Sequence, residues 1–101
     1  MFTYTTPTIT IKLTNVEFSY VDYVRIAIKG DKSIVVREVP VADIDTSTGV
    51  TSIKLTQEET AALGAGLLVI QGRAHYTDGT VEATNKFNMH LQNIIDEVIM
   101  E

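Results

Sequence analysis

Hydrophobic and polar residues alternate along most of the chain, with the period of two that is typical of β-strands. In TITIKL the apolar residues Ile9, Ile11 and Leu13 are separated by threonine and lysine. Such a strand places one face on a hydrophobic core and the other in water. The pattern continues in VDYVRIAIK and SIVVREV, and the Gly30-Asp31 pair between them predicts a β-hairpin.

A second hairpin is predicted later in the chain. GLLVIQGRAHY is apolar on both faces at its start, which favours a central position in its sheet. Asp78-Gly79 predicts a two-residue turn because both residue types tolerate left-handed dihedrals. The strand after this turn is expected to place one apolar set on a single face: Val81, Ala83, Phe87, Met89 and Leu91.

Between the two hairpins the sequence predicts the end of a strand or a sheet edge, then a loop and one further strand. Pro40 cannot donate a backbone hydrogen bond, so it ends the preceding strand or places that strand at a sheet edge. ADIDTSTG has the composition of a loop. VTSIKL then predicts a further strand, with Ile53 and Leu55 pointing inward.

Two segments depart from the period of two. Thr56 and Glu59 have the spacing of a capping box, which predicts a helix over residues 57–63. We expect Gly64 to end this helix in a left-handed conformation and Gly66 to lead the chain into the next strand. LQNIIDEVIM has apolar residues at helical spacing, but its β-branched residues also suit a final strand, so both interpretations stay open.

These elements predict an all-β fold in one domain over residues 1–101. About six or seven short strands, hairpin turns and one short helix are typical of an antiparallel, immunoglobulin-like β-sandwich. A small, partly open barrel is the alternative. A chain of 101 residues can bury a single core but is short for a core plus a deep substrate cleft.

Composition and charge exclude several classes of function. The net charge is -5 and the lysines and arginines are scattered, which argues against nucleic-acid binding and against an anionic membrane as partner. The absence of cysteine excludes disulfides, thiolate nucleophiles and zinc knuckles. No apolar run reaches the length of about 18 residues that a membrane span needs, and the first residues lack the pattern of a signal peptide. We therefore expect a soluble protein made in the cytoplasm.

The motifs that could carry chemistry have structural interpretations. Gly64-Ala65-Gly66 lies between a helix and a strand, the reverse of the order that a phosphate-binding glycine loop requires. Asp43, Asp45 and Ser47 have the spacing of a calcium loop, but its sixth and twelfth positions would hold threonine and lysine. We expect these side chains to stabilise turns instead.

No catalytic constellation is recognised in the sequence. His75 and His90 are predicted on outward faces, at different distances from the turn between them, so they are not expected to pair. No serine lies in a nucleophile elbow or beside a histidine. We therefore predict a protein without enzymatic activity, metal or other cofactor.

The surface offers a candidate interface. Exposed tyrosines and a C-terminal apolar stripe are residue types enriched where proteins meet. The candidate interface residues are Tyr20, Tyr23, Ile94, Ile95, Val98 and Ile99. The alternative is that the stripe packs on the protein's own core.

The second half of the chain resembles small proteins encoded in the structural-gene clusters of tailed phages and prophages of Gram-positive bacteria. The resemblance is carried by LTQEET at residues 55–60, by Ile70-Gln71 and Arg73, and by Asp78-Gly79. It implies a virion protein, part of the capsid decoration, neck, tail or baseplate, that docks with other virion proteins or with itself. The competing hypothesis is a carbohydrate- or receptor-binding module that uses Tyr20, Tyr23, Arg25 and the loop at residues 43–48.

Overall fold

The fold is all-β, as the alternation of polar and apolar residues predicts. The computed structural model describes residues 2–14, 16–92 and 99–100. Within these ranges the chain forms six strands and one α-helix: β1 (Thr8–Lys12), β2 (Val21–Lys29), β3 (Ile34–Pro40), β4 (Val50–Lys54), α1 (Gln57–Leu63), β5 (Gly66–Tyr76) and β6 (Val81–Leu91). Short 3-10 helices at Phe18–Tyr20 and Val41–Asp43 precede β2 and follow β3.

The strands form two antiparallel sheets in a sandwich-like arrangement. One sheet has two strands in the order β1-β4, and the other has four in the order β3-β2-β5-β6. The apolar strand β5 is central, between β2 and β6, which confirms its predicted position. Pro40 is the last residue of β3, and β3 is an edge strand, so it interrupts no hydrogen-bond ladder.

The core lies between the two sheets and is mostly aliphatic. Val24, Ile26 and Ile28 of β2 have no exposed side-chain surface. They share the core with alternate residues of the other strands: Ile9, Ile11, Val35, Val39, Ile53, Leu68, Ile70 and Ala74. Burying apolar surface stabilises the fold by about 25 cal/mol per Å². The inward prediction for Ile53 and Leu55 is confirmed, since both are buried.

Both predicted hairpins form, but the turn at Asp78-Gly79 differs from the two-residue turn expected. Tyr76 N donates to the Thr80 carbonyl at 2.9 Å and Gly79 N to the Tyr76 carbonyl at 3.0 Å, which encloses a three-residue loop. Gly79 has a positive φ of 90°, whereas Asp78 does not. The Asp78 carboxylate instead accepts from Thr80 N at 2.9 Å. A three-residue loop of this kind needs a single left-handed residue, and glycine supplies it.

A β-bulge overturns the prediction that the apolar residues of β6 share one face. The register passes from Gln71 opposite Lys86 to Arg73 opposite Ala83, so Gly72 faces two residues, Thr84 and Asn85. The extra residue exchanges the faces of β6 on either side of the bulge. Phe87, Met89 and Leu91 therefore pack on the core or beside it, whereas Val81 and Ala83 are exposed.

The bulge also connects the two sheets. Its residue Asn85 accepts from Thr14 N at 3.0 Å and donates to the Lys12 carbonyl at 3.3 Å. These two backbone groups lie at the end of β1, in the other sheet. A side-chain amide has both a donor and an acceptor, so it can substitute for a neighbouring strand at this edge. At the bulge itself, Thr84 Oγ1 is buried and accepts from Gly72 N at 2.9 Å.

The corner between β4 and β5 is built as the sequence predicts. Thr56 Oγ1 accepts from Glu59 N at 3.1 Å, and the Glu59 carboxylate accepts from Thr56 N at 2.9 Å, which completes the capping box. Gly64 ends α1 with φ 73° and ψ 167°. The positive φ is as expected, but this ψ lies outside the left-handed helical basin, in a region nearly restricted to glycine. Gly66, with φ 130°, is the first residue of β5.

The predicted C-terminal helix or strand falls mostly on residues 93–98, which lie outside the described residues. Before this segment, Leu91 is the last residue of β6 and is buried. Gln92 pairs with Phe2 in a parallel bridge. After it, Met100 forms two hydrogen bonds with the side chain of Gln57, each of 2.7 Å.

Candidate functional site

The face of the four-stranded sheet that points away from β1 and β4 is the first candidate surface, and we call it the outer face. Its side chains alternate along the strands with the buried ones. The outer face consists of Tyr23, Arg25, Ala27 and Lys29 of β2, Ile34, Val36, Glu38 and Pro40 of β3, Leu67, Val69, Gln71, Arg73 and His75 of β5, and Val81, Ala83, Lys86, Asn88 and His90 of β6.

Large apolar side chains on the outer face are uncovered. Ile34 is 58% exposed, Val81 52% and Leu67 47%. Val36 and Val69 lie between them in the sheet and are half-buried. Isolated apolar residues on a surface are ordinary, but several on one sheet face form a surface that another protein can cover.

Two arginines lie opposite each other on this face. Arg25 of β2 and Arg73 of β5 are cross-strand partners, and like charges at such positions disfavour each other. Arg25 Nη1 lies 3.2 Å from Glu38 Oε1 on its other side. Among the described residues no carboxylate lies within ion-pair distance of Arg73. The Arg73 guanidinium therefore remains available for a carboxylate or phosphate from outside.

An aromatic stack lies beside the two arginines. The rings of Tyr23 and His75 are 4.9 Å apart between centroids and inclined by 9°. With Arg25, Arg73 and Val81 they line a recess of about 170 Å³, which we call the basic recess. His75 Nδ1 is shielded from water and lies 3.5 Å from Asp22 Oδ2, too far for a strong hydrogen bond. Tyrosine and arginine are the residue types that most often dominate the energy of protein interfaces.

A larger groove lies near the turn between β5 and β6, and we call it the acidic groove. It encloses about 580 Å³. It is lined by Val16, Glu17, Tyr20, Tyr76, Thr77, Asp78, Thr80 and Glu82. Three of these residues are carboxylates, whereas the lining contains no lysine, arginine or histidine. The groove therefore presents negative charge together with aromatic surface.

The hydroxyl of Tyr76 organises the wall of the acidic groove. It accepts from Glu17 N at 3.2 Å and donates to Glu82 Oε2 at 3.2 Å. The Tyr76 ring itself is buried in the core, so the position of its hydroxyl is set by packing. This arrangement keeps the Glu82 carboxylate at the groove, while the Glu17 side chain is exposed.

Asp78 and Asp45 each stabilise a turn through their carboxylates. Hydrogen bonds from the Thr80 hydroxyl and amide lower the pKa of Asp78, which keeps its carboxylate ionised in the groove. In the loop at residues 43–48, the Ser47 hydroxyl and amide lower the pKa of Asp45 in the same way. Asp45 Oδ1 accepts from Ser47 N at 3.1 Å, so the turn interpretation of this loop is confirmed.

The structure separates the residues that the sequence grouped as one interface. Tyr20 is 63% exposed at the acidic groove, whereas Tyr23 lies in the basic recess on the outer face. Ile99 is half-buried. The remaining members of the predicted stripe, Ile94, Ile95 and Val98, lie outside the described residues. The corner residues Thr56, Glu59, Gly64 and Gly66 shape the helix and the start of β5, as expected.

The two histidines lie apart, in agreement with the sequence analysis. His75 pairs with Val81 near the hairpin turn, whereas His90 pairs with Leu67 near the other end of β5. Within the described ranges, no three histidine, aspartate or glutamate side chains are grouped as a metal ion would require. Likewise, no helix in this part of the chain is long and apolar enough to cross a membrane.

The pairing of β2 with β5, which creates both surfaces, was not predicted from the sequence. The sequence pattern singled out neither Glu17 nor Glu82, and Arg73 only through the resemblance. The alternation of polar and apolar residues in each strand was enough to place Arg25 and Arg73 on outward-facing positions. These two residues meet because β2 pairs with β5 in this register. Such a pairing is a long-range property of the sheet.

In comparisons with known proteins, no protein-family model, curated protein or solved structure matches this chain.

Proposed function

We propose that this protein is a non-enzymatic structural component of a tailed-phage virion, made in the host cytoplasm, that acts by docking to other virion proteins and to itself. Its position would be in the capsid decoration, the neck, or the tail or baseplate. The proposal combines the resemblance of residues 55–79 with the character of the outer face.

The observation that carries the docking part is the uncovered outer face. It combines exposed aliphatic residues such as Ile34 and Leu67 with arginine and tyrosine. An interface core of apolar and aromatic residues with a charged rim has this composition. The face belongs to a sheet whose other side forms the core, so it is presented on a rigid support.

Mass spectrometry of purified phage particles tests the proposal. The protein should be found in the particles, at a fixed ratio to the major capsid protein. On the order of hundreds of copies would indicate capsid decoration, whereas about six or twelve would indicate the axis of the neck and tail. Absence from particles in which the other structural proteins are detected would contradict the proposal.

A second candidate function is carbohydrate or receptor binding, and the acidic groove favours it. Tyr20 presents an exposed ring beside carboxylates and threonine hydroxyls, a combination that can stack on a sugar and bind its hydroxyl groups. A glycan array tests this function, with Tyr20→Ala in the groove compared with Tyr23→Ala in the basic recess. Binding that the first substitution removes and the second leaves would support it, and an array without signal would contradict it.

A further inference from the structure

In the basic recess, Arg73 has no carboxylate partner among the described residues. Arg25 and Arg73 oppose each other across β2 and β5, and Glu38 contacts Arg25 alone. Arg73 thus lies opposite another arginine and has no acidic partner in the described part of the chain. A planar carboxylate from another molecule would neutralise its guanidinium best. The recess of about 170 Å³ has room for a side chain rather than for a large ligand.

We propose that the basic recess binds the acidic groove of a second copy of this chain, in a head-to-tail contact. This inference rests on the proposed function, since it names the protein itself as one of the docking partners. The acidic groove offers Glu17, Asp78 and Glu82, and the Glu17 carboxylate has no cation within ion-pair distance among the described residues. Each surface thus carries the charge that the other lacks.

The hairpin of β5 and β6 determines that the contact is head-to-tail. Arg73 points outward from β5, whereas Glu82 lies opposite the buried residue Ala74 and so projects toward the other side of the sheet. The basic and acidic surfaces of one molecule therefore face in different directions. One copy cannot pair its own two surfaces, and each must engage a different neighbour. Such a contact is heterologous and produces rings or filaments.

The net charge of the chain makes the orientation specific. At -5, two copies repel each other in most arrangements. An approach that brings the basic recess to the acidic groove replaces this repulsion with local attraction. Tyr20 and the stacked Tyr23 and His75 rings add aromatic surface on the two sides.

Charge reversal on each surface tests the inference by analytical ultracentrifugation. Arg73→Glu alters the recess, and Glu17→Arg alters the groove without removing the bond between Tyr76 and Glu82. We expect each variant to raise the dissociation constant for self-association about tenfold or more. Lys32→Glu, in the turn between β2 and β3, and Glu58→Arg, at the start of α1, are matched controls at the other end of the sheet. They should associate like the wild-type chain.

Mixing the two variants gives the decisive measurement. Arg73→Glu retains an intact groove and Glu17→Arg an intact recess, so a one-to-one mixture should re-form complexes that neither variant forms by itself. A mixture that stays monomeric, controls that lose association equally, or a wild-type chain that is monomeric at roughly millimolar concentration would each overturn the inference. Incorporation into virions is measured separately, so failure here leaves the proposed virion function to its own test.

Discussion

The inner and outer faces of the four-stranded sheet are formed by neighbouring residues of the same strands, yet they differ in composition and exposure. On β5, Leu68 is fully buried, whereas the adjacent Leu67 is 47% exposed. The inner face consists mostly of aliphatic side chains that belong to the hydrophobic core. The outer face mixes aliphatic, aromatic and charged residues with no layer of the described chain over it. Strand alternation thus buries the side chains of one face in the core and leaves those of the other face exposed.

The two leucines of β5 give the largest expected difference between the faces. Leu68→Ala should lower the free energy of unfolding by about 2–5 kcal/mol, because it removes buried contacts and leaves a cavity. Leu67→Ala is the matched control, with the same chemical change one residue away, and should stay within about 0.5 kcal/mol. Urea unfolding measures both. Equal losses would mean that a partner or another layer covers the outer face.

The β-bulge is expected to contribute the next largest effect, because it determines which residues of β6 belong to each face. Thr84→Val keeps the shape of the side chain but leaves Gly72 N without its buried acceptor, at a cost of about 1–3 kcal/mol. Thr10→Val on the exposed side of β1 is the control and should change stability by about 0.5 kcal/mol or less. Urea unfolding of both variants checks this. If the two threonines proved equivalent, the hydrogen bond at the bulge would be unimportant.

A smaller effect on stability is expected from the ion pair between β3 and α1. Arg37 of β3 forms an ion pair with Glu59 of α1, and this hydrogen bond from the guanidinium lowers the pKa of Glu59 despite partial burial. A carboxyl with a lowered pKa in the folded state stabilises the protein above its unfolded pKa and loses that contribution as the pH falls through the folded value. Stability from this pair should therefore decline below the ordinary glutamate pKa of about 4.3.

Glu59→Gln separates this charge effect from capping. Glutamine can still complete the capping box with Thr56, so the helix start is retained while the ion pair is lost. Unfolding midpoints measured from pH 7 down to pH 3 should show a weaker decline for the variant than for the wild-type chain. Parallel declines in the two proteins would show that other carboxylates account for the pH dependence.

The smallest effect on stability is expected at the arginine of the outer face. Arg73→Ala should change the free energy of unfolding by about 0.5 kcal/mol or less, since the side chain is exposed and lies opposite a like charge. The same substitution should weaken self-association measured by ultracentrifugation. A large loss of stability would indicate that Arg73 serves the fold, and the contrast between the faces would then be wrong.

Local features of the fold were predictable from a few adjacent residues. The hairpin of β2 and β3 and the capping box of α1 follow from short patterns such as Gly30-Asp31 and Thr56 with Glu59. The turn at Asp78-Gly79 was predicted in place but not in type, because glycine alone takes the left-handed conformation. The face of β6 was predicted wrongly beyond Ala83, because alternation assumes a regular strand and the bulge inserts one extra residue.

The sequence by itself determined the local structure: the period of two, the helix cap, the turns and an aliphatic set large enough for one core. These depend on backbone preferences and on interactions within a few residues. The tertiary structure alone decided that β2 pairs with β5, that Asn85 of the bulge links the sheets, and that Arg25 meets Arg73. Strand partners and register are set by packing across the whole core, between residues far apart in the chain. The basic recess and the acidic groove therefore have no signature in any short stretch of sequence.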